Sequence, residues 1–417
     1  NDIDLGTASL KYKSFFAGLV DAENFKVNGG QGSDGQVLTS TGSGVAFEDA
    51  AAGGPTFKTF GTGSIMVGDD ATGTIDAADN NTGLGVDVFA ALTSGDGNTA
   101  VGAIALDAIT TSSNNTAVGH EALTNATGGG GNTALGKSTM TATVTGSNNT
   151  AVGYTASSAL TSASNVVALG HNALVTNTTG GNNTAVGTDA LAASTTVAGN
   201  TGFGFQAGTS VTTGGGTTAV GAEAGEAITT GNFNTVIGVV AGSNISTGDR
   251  NICIGYDSGT SGSPSHITTG DNGIVLGNNA TTSAHIKVDW TVTSDKRDKT
   301  DIEPLTMGLN FVNELEPVTY RWDMRSDYSK DFSITPDGTH KQPKLLGGLL
   351  AQDVEKVERE YGYKVEDETS ILTDKHNTNG NYGLTYSKFI PVLINAVKEL
   401  STQVDELKSE LLALKGE

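Results

Sequence analysis

The chain has 417 residues and a formal net charge of −22, with 58 Gly, one Cys and only 6% aromatics. That charge would repel nucleic acid and anionic membranes, and Cys253, standing alone, excludes an intramolecular disulfide or a cysteine-based metal site. No cofactor motif, signal peptide or run of eighteen apolar residues is read, so no cofactor and no membrane insertion are expected.

An opening Asn1 rather than Met reads as a piece of a longer protein. In residues 1–54, LGTASLKYKSFFAGLVDAENFKV (5–27) and GSDGQVLTSTGSGVAFEDA (32–50) resemble the short repeats of bacteriophage fibre shafts. Residues 55–80 read as the entry to a repeat array that occupies 81–277. Within it NTAVG (98–102) returns at 115, 149 and 183, and as NTALG at 132. Aligned on the last Gly, the units step by seventeen residues from Gly85 through Gly102 and Gly119 to Gly255. A twelfth unit ends at Gly277 after a five-residue insertion around Pro264. A fixed period of this kind predicts a solenoid, one coil per unit, with neighbours stacked on either side. Twelve coils at about 4.8 Å each predict a roll on the order of 55–60 Å long.

The residue before each Gly is large and apolar (Val101, Leu135, Phe203, Ile254), and the one before that is small in most units (Ala100, Ala117, Ala134, Ala151). These alternate across a strand. The large column is expected inside the coil and the small column outside, against another chain. Pairs such as Ala122-Leu123 and Ala190-Leu191 are expected on the opposite wall, with Gly making the turn between. The Asn column (Asn98, Asn115, Asn132, Asn149) is expected to stack as a hydrogen-bonded ladder, and the Asn-Asn-Thr sequons follow from the repeat itself. The Thr column (Thr99, Thr116, Thr133) suggests an ice-binding face. It becomes Val167, Ile252 and Ile274 in other coils, however, and is therefore expected to be buried. N-T-A-[VL]-G resembles the head repeats of trimeric autotransporter adhesins, which are left-handed parallel β-rolls associated in threes; similar repeats occur in phage tail fibres. The repeat here is longer.

After a neck at 278–293 the composition changes, and residues 294–417 hold 16 of the 23 Lys and Arg. SDKRDKTDIEPL (294–305), LLGGLLAQDVEKV (345–357) and YGLTYSKFIPVLINAVKEL (382–400) resemble the endosialidase-type intramolecular chaperone found on phage tail spikes and fibres. That resemblance implies a domain that trimerises, guides folding of the repeats before it and cuts itself off. Its Ser-Asp-x-Arg-x-Lys motif falls on Ser294, Asp295, Arg297 and Lys299. By the resemblance, Ser294 is the nucleophile, Lys299 its base and Thr293–Ser294 the bond cut, with Asp295 and Arg297 positioning the segment. On spacing alone, a Ser five residues from a Lys carries little. A hydroxyl needs a neighbour to take its proton, and a Lys can do so where burial lowers its pKa. The stretch 353–368 reads as a solvated helix face followed by a loop. At about 388–415 Ile390, Leu393, Val397, Leu400, Val404, Leu407, Leu411 and Leu414 mark a coiled coil. Ile/Val at a with Leu at d favours a dimer, whereas the resemblance implies a trimer.

The expected fold is mainly β: a trimeric parallel β-roll of 17-residue repeats, then an α+β chaperone domain ending in a coiled-coil helix. The expected function is a host-recognising, extracellular phage tail-fibre segment in the virion, a homotrimer. Its partners would be upstream fibre or tail proteins and a host surface receptor, a glycan or outer-membrane component. Enzymatic activity would be at most single-turnover autoproteolysis. One alternative is a glycan-degrading tail spike, which needs a carboxylate pair among residues scattered from Asp87 and Asp107 to Asp271. The other is a cellular trimeric surface adhesin.

Overall fold

A computed structural model describes residues 26–27, 30–31, 36–40, 45–49, 56–60, 62–68, 78–263, 265–287, 291–328, 334–376 and 381–416. Most of the shaft-like stretch 5–27, part of 32–50, and Pro264 lie outside the described residues. The chain is mainly β. Each 17-residue unit contributes one short strand, from Thr82–Gly85 and Thr99–Val101 onward to Ile274–Leu276. Neighbours pair in parallel with like residues opposite: Thr116 with Thr133, Ala117 with Ala134, Val118 with Leu135. These strands join one 14-stranded sheet whose first two members, Thr56–Phe60 and Ser64–Gly68, form an antiparallel hairpin. The remainder of each coil is turns.

Why seventeen residues close on themselves is visible at the corner glycine. Gly102 has φ +121°, and a Cβ there would lie 2.6 Å from Gly119 O of the next coil. A side chain would therefore strain its own backbone and collide with its neighbour's. The Asn column lies inside. Asn98 Oδ1 accepts from Asn115 N at 2.9 Å, and Asn115 Oδ1 from Asn132 N at 3.0 Å, while Asn98 Nδ2 donates to Ser112 O at 3.0 Å. The ladder expected from the sequence is present, running chiefly from side chain to backbone. Where Val166 and Thr217 replace Asn, their backbone N–H groups still donate to Asn149 and Asn200 Oδ1, at 3.0 and 2.8 Å.

The structure reverses the expected faces of the strand. Ala100, Ala117 and Ala134 are fully buried, whereas Leu135 is 45% and Phe203 55% exposed. The Thr column shares the outer face, half-buried or exposed, and Ile274 is 68% exposed, so the expected burial of that column is wrong too. The cause is volume. The far wall already fills the narrow lumen with Leu106, Leu123, Leu174 and Leu191, all buried, leaving room for a methyl group from the strand. The last three coils trade volume across the lumen. The wall position becomes Gly225, Gly242 and Gly259, and the inward strand position grows to Val236, Cys253 and Val275. A Cβ on Gly225 would lie 3.1 Å from Val236 Cγ2. In these last coils the strand supplies volume that the wall gives up, whereas at Gly208, beside Gly202 and Ala219, the strand position stays small and Leu191 and Val211 lie against the glycine. Cys253 is thus a packing residue.

The last coil is longer. Asp249 N donates to Asp271 Oδ1 and Gly273 N to Asn251 Oδ1, links that span 22 residues where the others span 17.

The C-terminal part is not repetitive. Helix α1 (Leu309–Glu314) precedes strand Val318–Tyr320, which pairs antiparallel with Leu346–Gly348. Helix α2 (Ala351–Glu360) is followed by the antiparallel pair Thr373–His376 and Asn381–Leu384, then by the long helix α3 (Phe389–Lys415). Met307, Phe311, Val354, Leu372, Phe389 and Val392 form its core. The expected solvated face at 353–368 needs correction at Glu358, which is fully buried. Its carboxylate accepts from the backbone N–H groups of Ile371, Leu372 and Thr373 at 2.9, 2.7 and 3.0 Å, and Ser370 Oγ lies 2.9 Å away. A buried carboxylate is tolerated when so many donors replace water. α3 presents its apolar line outward along its length, from Ile390 at 59% exposed to Leu414 at 85%.

Candidate functional site

The charged knot at 294–299 is a single 3₁₀ turn, Lys296–Asp298, following an extended segment. Asp295 caps it, accepting from Arg297 N at 2.9 Å. The Arg297 guanidinium returns to the same carboxylate as a fork, Nε to Oδ1 at 3.1 Å and Nη2 to Oδ2 at 2.6 Å. These bonds, the side-chain ones first, hold the Asp295 carboxyl below its ordinary range. The turn brings Lys299 back beside Ser294, where Nζ donates to Oγ at 2.5 Å. The four motif residues therefore form one compact loop, which Thr293 immediately precedes. The fork closes the turn, and the turn brings the Ser and Lys into contact. For Lys299 to serve as base the proton must travel the other way, from Oγ to a neutral amine. Thr293, Ser294 and Lys299 are all exposed in the single chain.

Downstream, the chain is fastened to α3. Asn395 Nδ2 donates to Leu305 O at 2.9 Å and Met307 O at 3.3 Å. Leu309 N donates to Glu399 Oε2 at 2.7 Å, so a carboxylate from α3 faces the start of α1. Thr306 Oγ1 lies 3.2 Å from Tyr363 OH. Asn395 and Glu399 were not singled out from sequence. No sequence signal sets them apart from the other polar residues of the helix.

With this geometry in view, the comparison with known families is decisive for one region. Residues 294–368 match the family described as Chaperone of endosialidase. The match begins on Ser294 itself and ends before α3. It covers the 294–299 loop, α1, α2 and the sheet of Val318–Tyr320 with Leu346–Gly348, and it leaves the solenoid unassigned. No curated protein and no solved structure matches the chain. A region that matches the chaperone-of-endosialidase family thus follows a parallel β-solenoid along the chain.

Other titratable groups lie elsewhere. His120 and His171 are exposed, and the His171 ring stacks on Tyr154 with centroids 5.5 Å apart. Burial, and secondarily the Asp87 carboxylate, push Asp107 up. Among the described residues no group of three His, Cys, Asp or Glu is placed to hold a metal, and no helix is long and apolar enough to cross a membrane.

Proposed function

We propose that this chain is a segment of a phage-tail-fibre-like homotrimer whose C-terminal region drives trimerisation and then cuts itself free between Thr293 and Ser294. The observation that carries the reading is the family match starting at Ser294, on a loop where Lys299 already touches the Ser hydroxyl. Lys299, as a free amine, takes the Oγ proton. Oγ attacks the Thr293 carbonyl carbon, and the Ser294 amide nitrogen leaves with a proton, giving an ester between Thr293 and Ser294 Oγ. Water hydrolyses the ester to a Thr293 carboxylate and restores the hydroxyl. A lysine acts as base only in a desolvated setting. Both groups are exposed in one chain, so the burial comes from neighbouring copies, and cutting follows assembly. The solenoid serves as an extracellular rod in the virion, joined to upstream tail proteins and presented to a host surface receptor of glycan or outer-membrane type.

Mass spectrometry of purified protein tests this. Wild type yields fragments that meet between Thr293 and Ser294. Ser294→Ala stays whole and still trimerises, and Lys299→Arg also stays whole because guanidinium holds its proton. Cutting of Ser294→Ala at the same bond would remove the dyad assignment.

A further inference from the structure

The outer strand face has three properties that a surface left in water does not need together. It is apolar at every step: Leu84 is 51% exposed, Leu135 45%, Phe203 55%, Ile254 41% and Leu276 55%. It carries no charge. The Thr column (Thr82 to Ile274) and the large column (Leu84 to Leu276) contain no Asp, Glu, Lys or Arg across twelve coils, in a chain of net charge −22. The acidic side chains of the array, such as Glu121, Asp189 and Glu223, stand on other columns. Finally the face is strictly periodic, with like residues opposite in successive strands.

We infer that this face docks against a second copy of the same chain running parallel to the first. A partner that covers the face must offer an apolar contact at every strand spacing, about 4.8 Å, and this chain has that spacing. Two molecules this acidic repel wherever their charged columns meet, and this face is free of that repulsion. Its size is also sufficient. Two columns over twelve coils give 24 side chains, and a stable interface takes about 20–30 residues a side. The inward Ala column plays no part. The inference rests on the trimer reading above and assigns the surface that the trimer uses.

A Leu135→Cys full-length chain, treated with a short bismaleimide, tests the assignment. The native Cys253 stays silent, being buried with its thiol pushed up to about 11. Leu135 lies in the fourth of twelve coils, so an antiparallel copy would set it against the ninth, out of reach. Thr230→Cys, exposed on another column, is the control. Light scattering on each unlinked protein is expected to give three times the chain mass. Leu135→Cys is expected to link copies on a denaturing gel while Thr230→Cys stays single. Trimer mass without a link at Leu135, whatever Thr230 does, overturns the face and leaves the trimer standing. Monomer mass for the parent chain overturns the trimer reading itself.

Discussion

The solenoid and the C-terminal region solve the same problem, a buried polar group, in opposite ways. In the solenoid each Asn does a small share: at Val166 and Thr217 the backbone N–H keeps its acceptor one coil back, and only the next step, to Asn183 and Asn234, loses its side-chain acceptor. In the C-terminal region one carboxylate, Glu358, holds three backbone donors, and no neighbour repeats the arrangement. Redundancy makes the first tolerant of change and indifferent to position. Singularity makes the second fragile and specific. A repeat array defines its own coil well and its place along the axis poorly, so the non-repetitive part is where alignment of copies can begin.

The largest effect expected from this contrast follows deletion of 294–417 from the gene: no soluble trimer forms, because slow long-range β pairing lacks a registering start. Removing the same region after folding leaves the trimer intact. Light scattering reads both, and normal trimer yield from the truncated gene would erase the distinction. Glu358→Ala comes next. It strands three buried N–H groups and is expected to cost the C-terminal region about 3–5 kcal/mol. Hydrogen exchange at Ile371, Leu372 and Thr373 should accelerate while the solenoid amides stay protected. Unchanged protection there would show that the carboxylate is dispensable.

A single change in the ladder is milder. Asn149→Ala removes the acceptor of Val166 N and the donor to Ala163 O, and about 1–3 kcal/mol is expected, confined to adjoining coils. Exchange that rises along the whole array would contradict local redundancy. The smallest effect concerns Asp295. Its carboxyl is held below the ordinary 3.8, so the Arg297 fork persists above that pH and is lost only as pH falls through the lowered value. The Arg297 Nε–H resonance should report opening below pH 3.8; opening above it would refute the sign.

What could be read from sequence was whatever repeats or matches a motif. Seventeen-residue spacing follows from a bond that each coil makes to the next, so Gly102, Asn115 and their equivalents announce themselves. Ser294 and Lys299 were legible through the motif, and the structure brings them into contact. The inward face of the strand was not legible. A three-residue strand that alternates Thr, Ala and Val fits either way round, and the choice is made by Leu123 and Leu191 on the opposite wall. Glu358 was hidden for a related reason. Nothing in VEKVERE separates it from Glu355 or Glu360, because its donors come from an irregular turn twelve to fifteen residues later.

The 22-residue coil gives the array something the other eleven coils withhold. A line of identical steps has translational symmetry, and a neighbour displaced by one step meets nearly the same contacts. One unequal step near the end removes that degeneracy. Displacing a copy by a single coil would set the longer coil of one chain beside a 17-residue coil of the next. In the proposed trimer the extra residues, where Thr260 donates to Asp257 O and Ser263 to Thr260 O, would act as a notch in an otherwise uniform ruler and give parallel copies one best alignment at that end of the array.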